Sequence, residues 1–326
     1  MARAEARAGL SVSQRRRALL LAAVVSGALL ASCASGSEDP QSPSPSQSES
    51  APPVVSVAAD PSNESRVLAN LYAGALTASG QAAQVVPTDG FKSAVTAVEK
   101  GRIHVFGGPV GRLTDYLNGQ ASGSSPSPAA SSNLDETMAR ARGLAGAQDL
   151  VVLDAAEASS GWAFAVSEKF AEANRFGTLG ELAEYSRQSP VVLAAPANCR
   201  KRDYCLPGLQ ERYGLQVGRF VALDGRATLD ALEEGSADVG LVRLSDGALT
   251  SLHLVVLADD MNLEIVGNIV PIVHESEAAS TVRDTLNRVQ SKLTQEAFAQ
   301  MDYAVTYQGE SPETVADAWL AVSGFA

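Results

Sequence analysis

The densest chemistry in the chain lies in Asn198-Cys199-Arg200-Lys201-Arg202-Asp203-Tyr204-Cys205, where two cysteines enclose three consecutive basic residues and an aromatic. A guanidinium fork such as that of Arg202 matches a carboxylate or another planar oxyanion. The competing reading is a solvated basic loop, to which Arg200 and Lys201 belong in either case. Asn198 and Tyr204 flank the loop and face either a ligand or water. Elsewhere Trp162 offers a large ring, for a cleft or for packing between domains, and Ser245-Asp246 at a strand end is either a ligand-facing turn or a helix cap. Groups that would make an enzyme are missing: there is no nucleophile elbow and no phosphate-binding glycine loop. His104, His253 and His274 are too scattered for a zinc site, and His104 lies inside an apolar run, as a core histidine does. The inventory is that of a binding protein that uses no cofactor and no metal ion.

Elements must hold this loop in place. The apolar run 190–195, bounded by prolines, reads as a buried strand, and 206–213 reads as a helix with Pro207 in its first turn and Gly214 as its stop. A loop at the end of a buried strand is where α/β proteins place ligands. Strands are expected at 54–59, 84–87, 103–106 and 150–154, with helices at 91–100, 112–118 and 134–144, and with a first helix capped around Asn63 and carrying Glu64 in its opening turn. A second alternation supplies strands 162–167, 219–223, 239–244 and 254–257 and helices 169–175, 179–185 and 228–234. Such alternation argues for two α/β units, each a parallel sheet covered by helices. After a strand at 268–273 the tail is helical, at 278–293, 294–303 and 311–322, and has no sheet of its own to cover. Returned to the first unit, it makes two lobes, 54–155 with 259–326 and 156–258, crossed near Asp154 and Ala258. The Ser/Gly/Pro-rich stretch 119–132 reads as a surface excursion without a role.

The 326 residues are 45% hydrophobic, enough for a sizeable core. The first 33 are an export signal: Arg15-Arg16-Arg17, then a 13-residue apolar stretch at 18–30 too short to span a bilayer, then Leu30-Ala31-Ser32-Cys33. That tetrapeptide resembles the lipobox of bacterial lipoproteins, in which the cysteine is diacylated and becomes the mature N-terminus. Residues 34–53 are a Ser/Pro-rich tether spanning roughly 25 Å as a coil. Formal charge is −12, and −16 once the signal is gone. Nucleic acid and anionic lipid headgroups are therefore excluded as partners, and membrane contact runs through the N-terminal lipid only. With Cys33 lipidated, Cys199 and Cys205 are an even pair in an oxidising compartment, as a disulfide requires.

From about residue 54 onward the chain resembles the substrate-binding proteins of osmoprotectant (glycine betaine, choline, carnitine) ABC importers. The residues that carry the resemblance are Asn63-Glu64-Ser65, 161–166 around Trp162, Cys199 with Arg202 and 205–209, 238–241 with Ser245-Asp246, 254–260, and 268–271. It implies a type II periplasmic-binding fold, two α/β lobes joined by two crossing segments. It further implies a monomer that works on the outer face of the membrane, closes on a small-molecule ligand and docks on ABC permease subunits. The candidate ligand residues are Trp162 and Arg202, which match family ligand positions, together with Asn198, Tyr204, Arg243, Ser245, Asp246, Pro109 and Asn63. The aromatic cage for a quaternary ammonium is depleted: Gly108-Pro109-Val110-Gly111 stands where the family has Glu-Tyr-Thr-Gly, and Leu229 and Arg243 stand at two cage tyrosines. Losing three rings removes roughly 2 to 6 kcal/mol of cation–π attraction, or one to four decades of affinity. A flat or anionic solute against Trp162 and Arg202 is the expectation for an importer, and a sensor subunit with a non-betaine ligand is the alternative.

Overall fold

The computed structural model describes residues 54–122 and 127–325; the signal, Cys33 and the tether to residue 53 lie outside the described residues. β1 (Val55–Ala59) is buried along its whole length. The Ser62 hydroxyl then accepts the Ser65 N–H and starts α1 (Asn63–Ala78), so the cap is Ser62 and Asn63 is the first helical residue. β2 (Ala83–Pro87), α2 (Phe91–Glu99), β3 (Val105–Pro109), α3 (Val110–Ser122), α4 (Leu134–Gly146) and β4 (Leu150–Val152) complete the first pass through lobe 1. Lobe 2 contains β5 (Trp162–Ser167), α5 (Glu168–Asn174), α6 (Leu179–Ser186), β6 (Val191–Ala195), a 3-10 turn at Ala197–Lys201 and α7 (Leu206–Gly208), which runs into a π-helical turn at Leu209–Tyr213. It continues through β7 (Val217–Ala222), α8 (Arg226–Glu233), β8 (Val239–Arg243), α9 (Ala248–Ser251) and β9 (Leu254–Val256). The chain then returns to lobe 1 with β10 (Ile269–His274), α10 (Ser280–Gln290), α11 (Gln295–Thr306) and α12 (Pro312–Val322). Among the described residues no helix is long and apolar enough to cross a membrane.

Each lobe is built on a five-stranded sheet, in the orders β2-β1-β3-β10-β4 and β7-β6-β8-β5-β9. Both sheets are mixed, which corrects the all-parallel expectation. β1 runs parallel to β2 and β3, and β6 parallel to β7 and β8, but β10 is antiparallel to β3 and β4, and β5 to β8 and β9. The reversed strands are the two that enter a lobe from the other lobe. They arrive without the helical crossover that forces neighbours parallel.

The helical tail closes lobe 1. Leu68, Leu71, Tyr72 and Leu76 of α1 share a core with Leu286 and Val289 of α10, Phe298 of α11 and Ala316 and Leu320 of α12. The buried Tyr72 hydroxyl donates to Gln290 Oε1 at 3.1 Å, and Gln290 Nε2 donates to the Ile269 carbonyl. This satisfies both the phenol and the amide inside this core, where an orphan would cost about 1–3 kcal/mol. The stretch 119–132 is not the idle excursion its composition suggests. α3 extends into it, and Asp115 Oδ1 accepts the backbone N–H groups of Ala129 and Ala130 at 2.7 and 2.9 Å. The Ser131 carbonyl takes the Val266 N–H at 3.0 Å, so the loop ties down the segment that returns from lobe 2.

Candidate functional site

The lobes meet where the two crossing segments, 153–161 and 257–268, pass each other. The Ser160 N–H donates to the Gly267 carbonyl at 3.0 Å, and Ser159 bridges Asn268 in antiparallel fashion. A Cβ on Gly267 would lie 2.3 Å from Gly161 Cα, so only glycine lets the backbones come this close. α11 is a third connection. Gln295 accepts the Ser159 N–H and donates to the Leu244 carbonyl, each at 2.8 Å, while the Tyr307 hydroxyl, just past the helix, donates to Asp246 at 2.9 Å.

Beside this junction lies a cavity of about 400 Å³ lined from both lobes, by Pro109, Arg112 and Asp115 of lobe 1, Trp162, Arg202, Tyr204 and Arg243 of lobe 2, and the backbone around Val266. A second hollow of about 350 Å³ adjoins it and shares Gly161, Trp162 and residues 265–267. A larger groove of about 520 Å³ lies on lobe 1 alone, between α1, β2 and the start of α12, and has no residue from lobe 2. The interlobe cavity is therefore the candidate site, since a pocket shared by two lobes is the one whose filling depends on their arrangement.

Five of the residues singled out from sequence are brought together there: Trp162, Arg202, Tyr204, Arg243 and Pro109. Four are not. Asn198 is exposed on the 3-10 turn. Asn63 donates to Thr306 Oγ1 at 3.0 Å, outside the cavity. Buried Ser245 donates to Glu64 across the lobes, and Asp246 accepts the Ala248 N–H at the start of α9 and the Tyr307 hydroxyl. Cys199 and Cys205 form a disulfide, both sulfurs buried, and it fixes the loop from which Arg202 and Tyr204 project. Arg200 lies 4.1 Å from the Phe220 ring centroid, so it is stacked rather than freely solvated.

Sequence reasoning missed Arg112 and Glu264, and read Glu64 as a first-turn acid rather than as a group near the cavity. Arg112 sits in the first turn of α3, 4.2 Å from the Phe91 ring centroid; burial and the like charge of Arg243 both lower its pKa. Arg243 sits 4.2 Å from the Trp162 ring centroid and donates to the Ser160 carbonyl at 3.0 Å. Burial raises the Glu64 carboxyl above the ordinary range, against the pull of Arg243 and the Ser245 hydroxyl. Glu264 is pushed up to about 8 by burial, opposed by Arg202, and neither of its carboxyl oxygens has a hydrogen-bond partner. Burial also raises Tyr204, to about 12. The resulting chemistry is polar recognition: three guanidinium groups, one carboxylate, one phenol and one indole around a shared space.

Two mixed α/β lobes, two crossing segments and a polar cavity between them define a bilobed solute-binding protein of the type II periplasmic class. The chain belongs to the family described as the substrate binding domain of ABC-type glycine betaine transport systems, whose model matches residues 53–322. It is 25% identical to the glycine betaine-binding protein YehZ of Escherichia coli (strain K12) over 186 residues, 54% of this chain and 61% of that protein. The match thus spans less than two thirds of that relative's length. Among solved structures, apo YehZ from Escherichia coli superposes with a TM-score of 0.71 at 22% identity, covering 85% of this chain and all of that one. A glycine betaine/carnitine/choline ABC transporter structure gives 0.75 at 19% identity, covering 83% and 99%. These two share the fold. The family is one of transport proteins, not of enzymes.

Proposed function

We propose that the protein is an extracytoplasmic, lipid-anchored solute-binding protein that closes its lobes, 54–155 with 259–326 and 156–258, over a small organic solute and presents it to the permease subunits of an ABC importer. The observation that carries this reading is the cavity lined from both lobes beside a glycine-to-glycine crossing. A ligand touching both lobes favours the closed form, because only there does it make all its contacts. Family membership supports the transport role, and the lipobox at Cys33 supports the anchor.

Two measurements test this. Small-angle scattering should show a smaller radius when a true ligand saturates the protein, and deletion of the gene should abolish uptake of that solute. No compaction with any member of a broad solute library would overturn the reading. For the anchor, Cys33→Ala should release the protein from the membrane fraction or leave an unprocessed precursor; full processing with unchanged membrane association would overturn it. A sensor role is the second reading, favoured by the guanidinium that already occupies Trp162. Ligand-induced compaction without loss of uptake on deletion would select it.

A further inference from the structure

The geometry points to a small organic dicarboxylate as the ligand of the interlobe cavity, held with one carboxylate against Arg112 of lobe 1 and the other against Arg202 and Arg243 of lobe 2. This rests on the solute-binding reading above and names its substrate class. The ion pairs among the described residues are Arg142–Asp154, Arg187–Glu184, Arg226–Asp230 and His253–Glu168; none involves the three cavity arginines. In a chain with a formal charge of −12, three guanidinium groups without a salt-bridge partner around a single cavity form a built anion site.

Of the nearby acids, Glu264 interacts with Arg202 but has its carboxyl pushed up to about 8 by burial, and the others hold hydrogen bonds elsewhere. Asp115 holds the Ala129 and Ala130 N–H groups, and Asp60 accepts the Ser62 N–H and hydroxyl. Glu64, behind Arg243, takes the Ser245 hydroxyl. Arg112 and Arg243 come from opposite lobes, and the pKa of Arg112 is lowered by burial and, in addition, by the like charge of Arg243. A dianion between them turns that repulsion into attraction, so its stabilising effect is largest when the lobes are together, which is what drives closure. A quaternary ammonium would meet three cations and a ring already carrying Arg243 at 4.2 Å and Arg202 at 5.7 Å. At about 400 Å³ the space is at the small end of ligand pockets and suits an acid of few carbons or one aromatic ring.

Calorimetric titration of the full chain with succinate, phthalate, glycine betaine and choline tests this, with scattering in parallel. The expected result is micromolar binding of at least one dicarboxylate, with compaction, and no comparable binding of betaine or choline. Arg112→Gln, Arg202→Gln and Arg243→Gln should each weaken that binding about ten- to hundredfold, while Arg200→Gln, whose side chain stacks on Phe220, should leave it within about twofold. Added salt should weaken it further. Betaine or choline bound more tightly than either acid, with compaction, would overturn the ligand class and leave the solute-binding reading standing. Dicarboxylate binding that survives all three arginine substitutions would overturn the assigned site. No dicarboxylate binding up to about 10 mM would overturn the inference outright, and the solute library then judges the wider reading.

Discussion

Arg243 stands opposite Trp162 in the antiparallel β5–β8 ladder, and its guanidinium lies 4.2 Å from the centre of the indole. Directly opposed residues on one sheet face have Cβ atoms about 5 Å apart, so the register itself places the cation on the ring. The pair contributes about 0.5–2 kcal/mol, which an incoming ammonium would have to displace. Arg243→Tyr should therefore free the indole and restore a second ring, raising choline and betaine affinity at least about tenfold. Titration of both solutes against the variant checks this; ammonium binding no tighter than that of the parent chain would count against the capped-ring argument.

The periodicity of the chain made most elements legible, and their direction much less so. A doubly buried strand shows the same apolar run whether its neighbours are parallel or antiparallel, so nothing in Trp162–Ser167 or Ile269–His274 announces that these strands are reversed. For the site, the family resemblance pointed to the positions of Trp162, Arg202 and Arg243, and these three side chains do line one cavity. Residue type failed for Asn198, which is exposed, for Asn63, whose amide bonds Thr306 within lobe 1, and for Ser245 and Asp246, whose hydroxyl and carboxyl groups serve the interlobe contacts. Arg112 carried a usable signal: β3 ends at Pro109, α3 starts at Val110, and a residue in that first turn faces the carboxyl end of the sheet. Glu264 carried none, since the segment around it has no period to read.

Gly267→Ala should damage the junction. The new methyl would overlap Gly161 Cα and N, both 2.3 Å away, and backbone cannot move aside as a side-chain tip can. Overpacking of this kind costs about 1–3 kcal/mol, or several degrees in Tm for a chain of this size. Gly119→Ala, which has open space around it in α3, should be neutral or slightly stabilising. Melting curves of the two variants compare them directly; equal behaviour would show that the crossing segments yield freely.

Opening the disulfide should affect binding more than folding. The Cys199–Cys205 bridge closes a loop of only seven residues, so on the chain-entropy estimate its loss costs about 2 kcal/mol. Arg202 and Tyr204 project from that loop into the cavity and would lose their fixed placement. The double substitution Cys199→Ala with Cys205→Ala is expected to fold, melt several degrees lower and bind the cavity ligand at least about tenfold more weakly. Unaltered affinity would show that the loop keeps its shape without the bond.

Stability should fall as pH rises from mildly acidic to mildly alkaline values, and buried carboxyl groups with raised pKa values set the window: Glu264 and Asp302, with Glu64 acting in the same direction. Glu264 is raised by burial from 4.5 to about 8, and Asp302, in α11, from 3.8 to about 7 by burial and the nearby Glu64 and Asp246. In the unfolded chain both ionise at their ordinary values, so between those values and the raised ones the folded state holds protons that the unfolded state has released. The slope of unfolding free energy with pH is then negative: the contribution is fully present below the unfolded pKa and is lost as pH rises through the folded one. Asp302 stops contributing near pH 7, and in the interval up to about pH 8 Glu264 contributes no more than about 1.4 kcal/mol per pH unit. Glu264→Gln keeps the shape and removes the charge. Its urea midpoint should match the parent chain at acidic pH, exceed it at pH values above about 7, and show the smaller decline between the two. Asp302→Asn should flatten only the part of the profile below that point. Parallel pH profiles for Glu264→Gln and the parent chain would show that the buried Glu264 carboxyl titrates at its ordinary pKa.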